Sequence, residues 1–567
     1  MSKPRKLLVL GSDGGSVALA LTRALGRAGH HVVVGATKQS PVAGASRYAQ
    51  STVTFSDPRE SVAQFRREVR AFNQQQCELV FGVNDAALLP FMVEGADPLP
   101  GLVAPTPVVW QRAFNKRTAA QSAREVGFIV PAEVIVHSLA DVEQVPEHWP
   151  LVVKPQSSKV IIDDALRNLR VRVVRTKLEL TAALDALLPF GPVLVQNFIS
   201  GDGVGMSGVC QDGELVQAFQ HRRLHQPVGG GGSYYRISET LDPILHQKVR
   251  QLVGLLSWHG PLMVEFLHTA DGAYSFVEVN GRWWGSLALS LKAGLNLPAT
   301  QLELLQGQQR SKLGSYRSGV ASRLLTRDAP FVWQQYLGRG PIGHYRVQLT
   351  TWGLVKHLLL LLMPNERVDE VAIDDLKPFG LIIWRWLGGM LKRWLGRLQL
   401  WLISIWHRLP TITHHEHQQL LARFAPGRPL LFVCRGNISR SPFAAALLAS
   451  TIHRSAGLAI KAGDRATEQT CRVAQRYGAN VREHQPLAVD ESLLEKADTV
   501  LVFERQHQLE LGQRWPRFRH KVFPLFALDT NPAGRRDIID PHQAPSDIAE
   551  RSLARIHQYV TVILERL

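Results

Sequence analysis

Residues 429–447 read PLLFVCRGNISRSPFAAAL, and this stretch decides the fold of the last quarter of the chain. PLLFVC has the continuous apolar character of a buried strand, and SPFAAAL begins a helical pattern. A cysteine therefore ends a strand, five residues follow it, and Arg440 and Ser441 begin a helix. Because the N–H groups of such a turn point inward and a helix N-terminus adds positive potential, the stretch predicts an anion-binding loop.

The side chains of this loop are those that phosphoryl transfer to sulfur needs. We expect Cys434 to be a thiolate, because positive potential favours the deprotonated sulfur. The planar fork of Arg440 suits two phosphate oxygens. A leaving oxygen also needs a proton donor, and Asp540 in DIIDP (537–541) is the candidate. The alternative, a structural cysteine before an ordinary helix, does not account for the whole loop.

These residues resemble the low-molecular-weight protein tyrosine phosphatase family over about residues 428–567, including HQP (484–486) and VFE (502–504). The resemblance implies a doubly wound parallel sheet, no metal, and a phosphotyrosine or related phosphomonoester substrate, either protein-bound or small. It also implies a role for each of five residues. Cys434 is then the nucleophile that forms a phosphocysteine, Arg440 binds the phosphate, and Ser441 stabilises the thiolate. Asn437 holds the loop in its conformation, and Asp540 is the general acid.

Two positions depart from the pattern of that family. Ser439 stands where a second loop cysteine is common, so protection through a disulfide is not expected while catalysis is. His542 follows the Asp-Pro pair where many members carry an aromatic residue. The missing aromatic wall leaves the preference for phosphotyrosine open.

Residues 1–115 alternate short apolar runs with helical patterns. LLVLG (7–11), SVALALTRALGRAG (16–29) and HHVVVGA (30–36) read as strand, helix and strand. Such a unit builds a parallel sheet, so we predict a Rossmann-like domain. GSDGGS (11–16) is not a full dinucleotide fingerprint, and no ribose-binding acid follows on the next strand, so we interpret it as a tight turn.

Polar residues at the ends of strands distinguish residues 116–325. Glu265 ends one apolar run, and Glu278 and Asn280 end another. Because side chains alternate along a strand, Glu278 and Asn280 point to the same face. Two carboxylates and an amide oxygen predict a Mg²⁺ site shared with nucleotide phosphates, and the following Arg282 suits a transferring phosphoryl group.

With Lys116 and Lys154 upstream, this arrangement resembles the ATP-grasp superfamily over about residues 1–325, in the carboxylate–amine ligase branch related to carbamoyl-phosphate synthase. The resemblance implies an α+β ATP-grasp domain, ATP and Mg²⁺ as cofactors, and activation of a small carboxylate as an acyl phosphate that an amine attacks. The implied nucleotide contacts are Lys116, Lys154, Gln196, Asn197, Phe198 and Ile199. The implied metal ligands are Glu265, Glu278 and Asn280, and the implied phosphate or substrate contacts are Arg282, Arg222 and Arg223.

Two departures bear on the ligase activity. Residues 155–168 lack the Gly-rich lid that is usual there, and Asn197 stands where a ribose-binding glutamate is common. The expected function is a bifunctional enzyme, a ligase joined to a phosphatase. The alternative is a regulatory scaffold, in which a degenerate ATP-grasp module binds nucleotide and positions the phosphatase at a membrane.

The composition shifts in residues 326–427. Segment 379–409 holds five of the 13 Trp residues, five Lys and Arg residues and no acid. Its apolar residues recur on one helical face and most of its basic residues on the other, which is typical of a helix in a membrane interface. Packing of this helix against a flanking domain is the alternative. KHLLLLLM (356–363) is a second strongly apolar stretch.

The composition places these segments in a multidomain α/β protein. The 567 residues are 45% apolar and 20% charged, which excludes a disordered or fibrous chain. Four cysteines exclude a disulfide scaffold and fit the cytoplasm, with attachment to the inner membrane face left open. A net charge of +17 favours anionic partners. The sequence has no motif that combines stacking side chains with basic ones, so we expect no nucleic-acid partner. The predicted domains are 1–115, 116–325, a connector over 326–427, and 428–567.

Overall fold

The computed structural model of the protein describes residues 3–11, 15–227, 232–307, 314–337, 350–406, 410–448, 452–460, 465–466, 468–529, 537–541 and 546–567. The first sheet consists of parallel strands. The strands are β1 (Lys6–Leu10), β2 (His31–Ala36), β3 (Ala49–Thr54) and β4 (Leu79–Gly82), in the order β3-β2-β1-β4. They alternate with α1 (Ser16–Arg27), α2 (Val62–Gln76) and α3 (Asp85–Met92). The predicted Rossmann-like βαβ arrangement is confirmed.

An antiparallel sheet follows two linking helices, α4 (Pro107–Phe114) and α5 (Lys116–Glu125). Its order is β5-β10-β6-β9, and a separate hairpin joins β7 to β8. The bounds are β5 (Glu133–Val136), β6 (Leu151–Pro155), β7 (Lys159–Ile162), β8 (Ala165–Asn168), β9 (Arg172–Val174), α6 (Lys177–Leu187) and β10 (Val193–Asn197). The hairpin occupies the stretch that lacks a Gly-rich lid.

A larger mixed sheet has the order β15-β14-β11-β12-β13-β16-β17 and is antiparallel except for its last pair. Its strands are β11 (Asp202–Gln211), β12 (Glu214–His225), β13 (Tyr235–Glu239), β14 (Gly260–His268), β15 (Tyr274–Asn280), β16 (Ala321–Arg323) and β17 (Glu366–Val368). The accompanying helices are α7 (Pro243–Leu256), α8 (Leu287–Lys292), α9 (Leu297–Leu305), α10 (Leu325–Tyr336) and α11 (Thr351–Leu360).

The last sheet is parallel, with the order β19-β18-β20-β21. Two helices precede it, α12 (Lys377–Trp406) and α13 (Pro410–Leu421). The strands are β18 (Leu430–Cys434), β19 (Arg454–Gly457), β20 (Thr499–Val502) and β21 (Val522–Pro524), and the helices are α14 (Arg440–Leu447), α15 (Glu468–Arg476), α16 (Glu491–Lys496), α17 (Arg505–Arg514) and α18 (Ser546–Leu564). The predicted doubly wound sheet is confirmed. Among the described residues no helix is long and apolar enough to cross a membrane.

The chain divides into two compact units, Met1–Leu387 and Gly388–Leu567. Buried ion pairs tie part of the predicted connector to the first unit, since Asp369 pairs with Arg236 and Asp375 pairs with Arg23. The later part belongs to the second unit, where Glu416 of α13 forms an ion pair with Arg505. Residues 326–427 are therefore shared between the two units.

Candidate active sites

The carboxyl end of β18 lies where the parallel sheet of the second unit changes its winding direction. β18 is flanked by β19 on one side and by β20 on the other. Connections that leave such a point in opposite directions open a crevice outside the strand ends, where open α/β sheets bind their ligands. Cys434 is the last residue of the buried strand β18 and therefore lies at this position.

The loop between β18 and α14 closes through a contact between its two ends. Sγ of Cys434 lies 3.0 Å from Oγ of Ser441, and both side chains are buried. Ser441 belongs to the first turn of α14, where backbone N–H groups have no partner within the helix. The sulfur thus lies next to a hydroxyl and near a helix N-terminus, both of which stabilise a negative charge.

Asn437 lies at the centre of this loop and is fully buried. Its φ of 53° is left-handed, a conformation that Asn adopts more readily than most residues. Its side-chain nitrogen donates to Oγ of Ser441 and Oγ of Ser455, both at 2.9 Å, and its side-chain oxygen accepts from the Leu487 N–H at 2.8 Å. Nε2 of His484 lies 3.0 Å from the Asn437 carbonyl oxygen. These are the contacts that a loop-holding residue requires.

Arg440, the first residue of α14, has its guanidinium between two carboxylates. Nη1 donates to Glu504 at 2.5 Å and to the carbonyl oxygen of Ile538 at 2.7 Å, while Nη2 donates to Asp540 at 2.8 Å. The side chain is 1% exposed, and its Nε has no hydrogen-bond partner among the described residues. A buried cation with an unused donor is suited to an incoming anion.

Asp540 is brought to this site by the packing of its own loop. The side chain of Ile538 is fully buried, and its N–H donates to the carbonyl oxygen of Phe503 at 2.9 Å. Asp540 follows two residues later and reaches Arg440, with 42% of its side chain exposed. The carboxylate is therefore held by Arg440 while part of its side chain remains exposed to solvent, as proton exchange requires.

Ser439 and His542 are the two positions that depart from the family pattern, and the structure describes only the first of them. Oγ of Ser439 accepts a hydrogen bond from Oγ1 of Thr470 at 3.0 Å, so its hydroxyl is used in packing the loop. All four cysteines, including Cys434, are free. His542 lies outside the described residues.

A separate cavity of about 400 Å³ lies in the first unit. Its walls come from the start of α1, the start of α3, α5, β12, β14 and β15. Charged and polar side chains converge on it from these elements, among them Asp85, Lys116, Ser158, His221, Arg223, Glu265, Glu278, Asn280 and Arg282.

The carboxylates of this cavity lie on neighbouring strands. Glu265 of β14 is directly opposite Glu278 of β15 in the sheet register. The Asn280 side-chain nitrogen donates to Glu265 at 2.9 Å, and Arg282 donates to the Asn280 side-chain oxygen at 3.0 Å. Arg223 forms an ion pair with Glu265 at 2.5 Å. Of the residues that the sequence proposed as metal ligands, Glu265 and Asn280 are therefore hydrogen-bonded to each other, and Glu278 lies beside Glu265 on the neighbouring strand.

The two predicted nucleotide lysines lie at different depths. Nζ of Lys116 donates to Ser158 at 2.5 Å and lies 3.8 Å from a carboxylate oxygen of Glu278, so Lys116 lines the cavity. Lys154 on β6 is buried and does not line it. Burial and the neighbouring Lys116 lower the pKa of Lys154 to about 8.

Other predicted contacts also lie outside this cavity. Gln196 donates to Glu133 at 2.7 Å, and Asn197 lies 2.7 Å from a ring nitrogen of His148. Phe198 and Ile199 follow directly after β10. Arg222 pairs with Glu239 and Asp202. Alternate residues of β12 face opposite sides, so Arg223 and His221 line the cavity in place of Arg222.

Several polar residues of the cavity were not singled out from the sequence, among them Asp85 and His221. Asp85, at the start of α3, accepts from Arg282 at 3.1 Å. Nε2 of His221 lies 3.1 Å from Oγ of Ser286. Burial, with Arg223 and Arg236 nearby, holds the pKa of His221 well below its usual range, so the imidazole is neutral at pH 7. Asp85 follows the carboxyl end of β4, a position that does mark it in the sequence.

Comparison with known proteins identifies the second unit. Residues 429–567 match the family model "Low molecular weight phosphotyrosine protein phosphatase". A probable low molecular weight protein-tyrosine-phosphatase of Ralstonia nicotianae is 30% identical over 144 residues, which are 25% of this chain and 96% of the relative. A protein-arginine-phosphatase of Bacillus subtilis is 30% identical over 147 residues, 24% of this chain and 95% of the relative.

The first unit is similar to solved structures at low identity. N5-carboxyaminoimidazole synthetase of Staphylococcus aureus is 13% identical, with a TM-score of 0.47, over 60% of this chain and 87% of that chain. Biotin carboxylase of Campylobacter jejuni is 14% identical, with a TM-score of 0.45, over 56% of this chain and 74% of that chain. Sequence identities and TM-scores this low assign no activity to the first unit. Any role proposed for residues 1–387 therefore depends on the positions and contacts of those residues.

Proposed function

Since the chain belongs, through residues 429–567, to the low molecular weight phosphotyrosine protein phosphatase family, we propose that Cys434 hydrolyses phosphate esters through a covalent phosphocysteine. The observation that carries this proposal is the contact of Arg440 with Asp540 at 2.8 Å. Cys434 lies at the other end of the same short loop, in contact with Ser441. Nucleophile, phosphate clamp and acid are thereby assembled around one crevice.

The reaction has two steps. The sulfur anion of Cys434 attacks phosphorus while the bond from phosphorus to the leaving oxygen breaks, and Asp540 gives its proton to that oxygen. In the second step, Asp540 takes a proton from a water molecule whose oxygen attacks phosphorus, and the phosphorus–sulfur bond breaks. Arg440 binds the non-bridging oxygens throughout and stabilises their charge. The ester and one water become an alcohol and inorganic phosphate.

The covalent intermediate is the direct test of this proposal. The full chain, mixed with an aryl phosphate and quenched in acid during turnover, should yield a phosphorylated peptide that contains Cys434. Turnover without any phosphocysteine would contradict the proposal. Phosphotyrosine and phosphoarginine peptides should then be compared as substrates, because relatives of both names match this unit. We propose phosphotyrosine or a related monoester as the preferred class.

For the first unit we propose binding of ATP with Mg²⁺ in the cavity, and activation of a small carboxylate as an acyl phosphate that an amine then attacks. A volume of about 400 Å³ with convergent polar groups is in the range of small-molecule sites. Lys116, Arg223 and Arg282 supply positive charge for phosphates. When substrate binds, these three cations would leave their present carboxylate partners and contact phosphate oxygens.

The donor set of the cavity fits Mg²⁺. This ion takes oxygen ligands and commonly binds through one or two carboxylates together with substrate phosphates. Glu265 and Glu278 offer carboxylates from adjacent strands, and Asn280 offers an amide oxygen. These residues would hold the ion, which would supply charge neutralisation of the phosphates. Among the described residues no cluster of three or more His, Cys, Asp or Glu side chains forms a metal site without such phosphates.

Replacement of Lys116 by methionine tests the nucleotide site. We expect the affinity of the full chain for Mg-ATP, measured by calorimetric titration, to fall about tenfold or more, because a buried cation that faces the phosphates is lost. Lys177→Met is the matched control, since Lys177 lies on the same unit but is exposed and paired with Glu147. Equal affinities of both variants would remove the cavity as the nucleotide site.

Turnover separates the ligase from the regulatory scaffold. A ligase should release ADP from ATP when a small carboxylate and an amine are both supplied, and Glu278→Gln should abolish this release. A scaffold should bind Mg-ATP without release of ADP under any combination of substrates. Binding without turnover across a panel of carboxylates would therefore favour the scaffold.

A further inference from the structure

Exposed apolar side chains are concentrated in one part of the described chain. Of the 30 large hydrophobic residues that are exposed, 17 lie between Trp333 and Leu395. A soluble surface carries such residues singly as a rule, and a dense group of them marks a surface that contacts another molecule. Ten of these 17 residues lie on helices α11 and α12, which are outside both candidate active sites.

Helix α12 separates its apolar residues from its basic ones. Trp384, Leu387, Leu391, Trp394 and Leu395 recur at helical spacing and are each about half exposed or more. The described basic side chains on the opposite face are Arg385, Lys392 and Arg393. Within the first unit, Arg385 donates to the carbonyl oxygen of Ser40 at 2.9 Å. Trp384 and Leu387, on the apolar face of the same turns, remain 72% and 52% exposed.

Helix α11 also exposes apolar side chains. Its His357 ring lies against His225 of β12, with ring centroids 5.3 Å apart, so one side of the helix contacts the first unit. On the other side, Trp352 and Leu358 are 71% and 60% exposed, and Leu362, just beyond the end of the helix, is 77% exposed.

The charge of these helices indicates what covers them. No Asp or Glu occurs in residues 329–365 or 376–415, whereas these ranges hold nine Lys and Arg residues. Two copies of such a surface repel each other, which disfavours self-association. An anionic lipid surface attracts it, and Trp residues are favoured at the boundary between headgroups and hydrocarbon.

We propose that α11 and α12 bind an anionic lipid surface, with α12 lying in the plane of the headgroups. A helix of 30 residues is about 45 Å long and would bury its apolar face along that length. Helix α13 begins soon after α12 and is tied to the phosphatase through Glu416, which pairs with Arg505 at 2.6 Å. Binding would therefore hold the phosphatase close to the lipid surface.

Sedimentation with lipid vesicles tests this proposal on the full chain. We expect binding to vesicles with about one-third phosphatidylglycerol to exceed binding to phosphatidylcholine vesicles about tenfold or more, and to weaken with salt. L391S/W394S should reduce the partition coefficient roughly tenfold or more, because it removes two interfacial side chains. G389S/G396S, on the opposite face of α12, is the matched control and should bind like the wild type.

Hydrolysis of a soluble aryl phosphate shows that each variant is folded, because none of these positions lies in the phosphatase site. If L391S/W394S were inactive, K392Q/R393Q would replace it, with an expected loss of roughly tenfold in anionic-vesicle binding. Equal binding of L391S/W394S and G389S/G396S would overturn the proposal. A wild-type dimer in sedimentation velocity that L391S/W394S dissociates, without vesicle binding, would instead make the occupant a second copy and also overturn it.

Discussion

Cys434→Ser is expected to lower the hydrolysis of an aryl phosphate by the full chain by about 10⁴-fold or more. A serine hydroxyl has a much higher pKa than a thiol. The group that it would contact is the Ser441 hydroxyl, which is not a general base. The hydroxyl would also be a poor leaving group for the second step. The measurement is steady-state release of the aryl alcohol at neutral pH.

Cys471→Ser is the matched control for this experiment. Cys471 is also buried in the second unit and forms no disulfide, but it lies on α15, where its sulfur is 4.0 Å from the carbonyl oxygen of Ala466. Both variants replace one buried sulfur atom by oxygen, but Cys471 has no proposed role in the reaction. Cys471→Ser should therefore retain activity within a few-fold. Comparable activity of Cys434→Ser and the wild type would remove Cys434 as the nucleophile.

Asp540→Asn is expected to lower kcat/KM, which reports the first step alone, by about 10²–10⁴-fold for an ester with a poor leaving group, such as an alkyl phosphate. Asparagine keeps an oxygen that accepts from Arg440, so the 2.8 Å contact survives while the transferable proton is lost. The loss should be much smaller for a nitrophenyl ester, whose leaving oxygen needs little protonation. The ratio of the two losses is the quantity to measure.

That ratio distinguishes proton donation from a structural role. A variant that merely loosened the loop would lose activity equally on both esters. Asp547→Asn serves as the matched control, because Asp547 begins α18 and pairs on the surface with Arg551. Equal losses of Asp540→Asn on both esters would show that Asp540 positions Arg440 and is not the acid.

Most strands and helices could be predicted from local patterns. The runs at 30–36 and 429–434 agree with β2 and β18 to within one residue, because their apolar residues are continuous and buried. β3 reads AQSTVT, is half-exposed at the edge of its sheet and escaped the prediction. An edge strand buries too little surface to impose an apolar pattern on its residues.

Site residues on facing strands were harder to assign than those within one loop. HRRLH on β12 offers three neighbouring basic residues. The pairing of β12 with β11 and β13 decides that His221 and Arg223 line the cavity while Arg222 meets Glu239. Both faces of β12 carry polar residues, so hydrophobic alternation gives no indication of which face meets the cavity.

By itself, the sequence determined the phosphate loop, because Cys434, Asn437, Arg440 and Ser441 follow one another within eight residues and local geometry brings them together. It also determined that α12 has an apolar face and a basic face. Only the tertiary structure decided that Glu504 and Asp540, 64 and 100 residues beyond Arg440, share its guanidinium. The reason is that burial of Ile538 places Asp540, and such packing depends on contacts far apart in the chain.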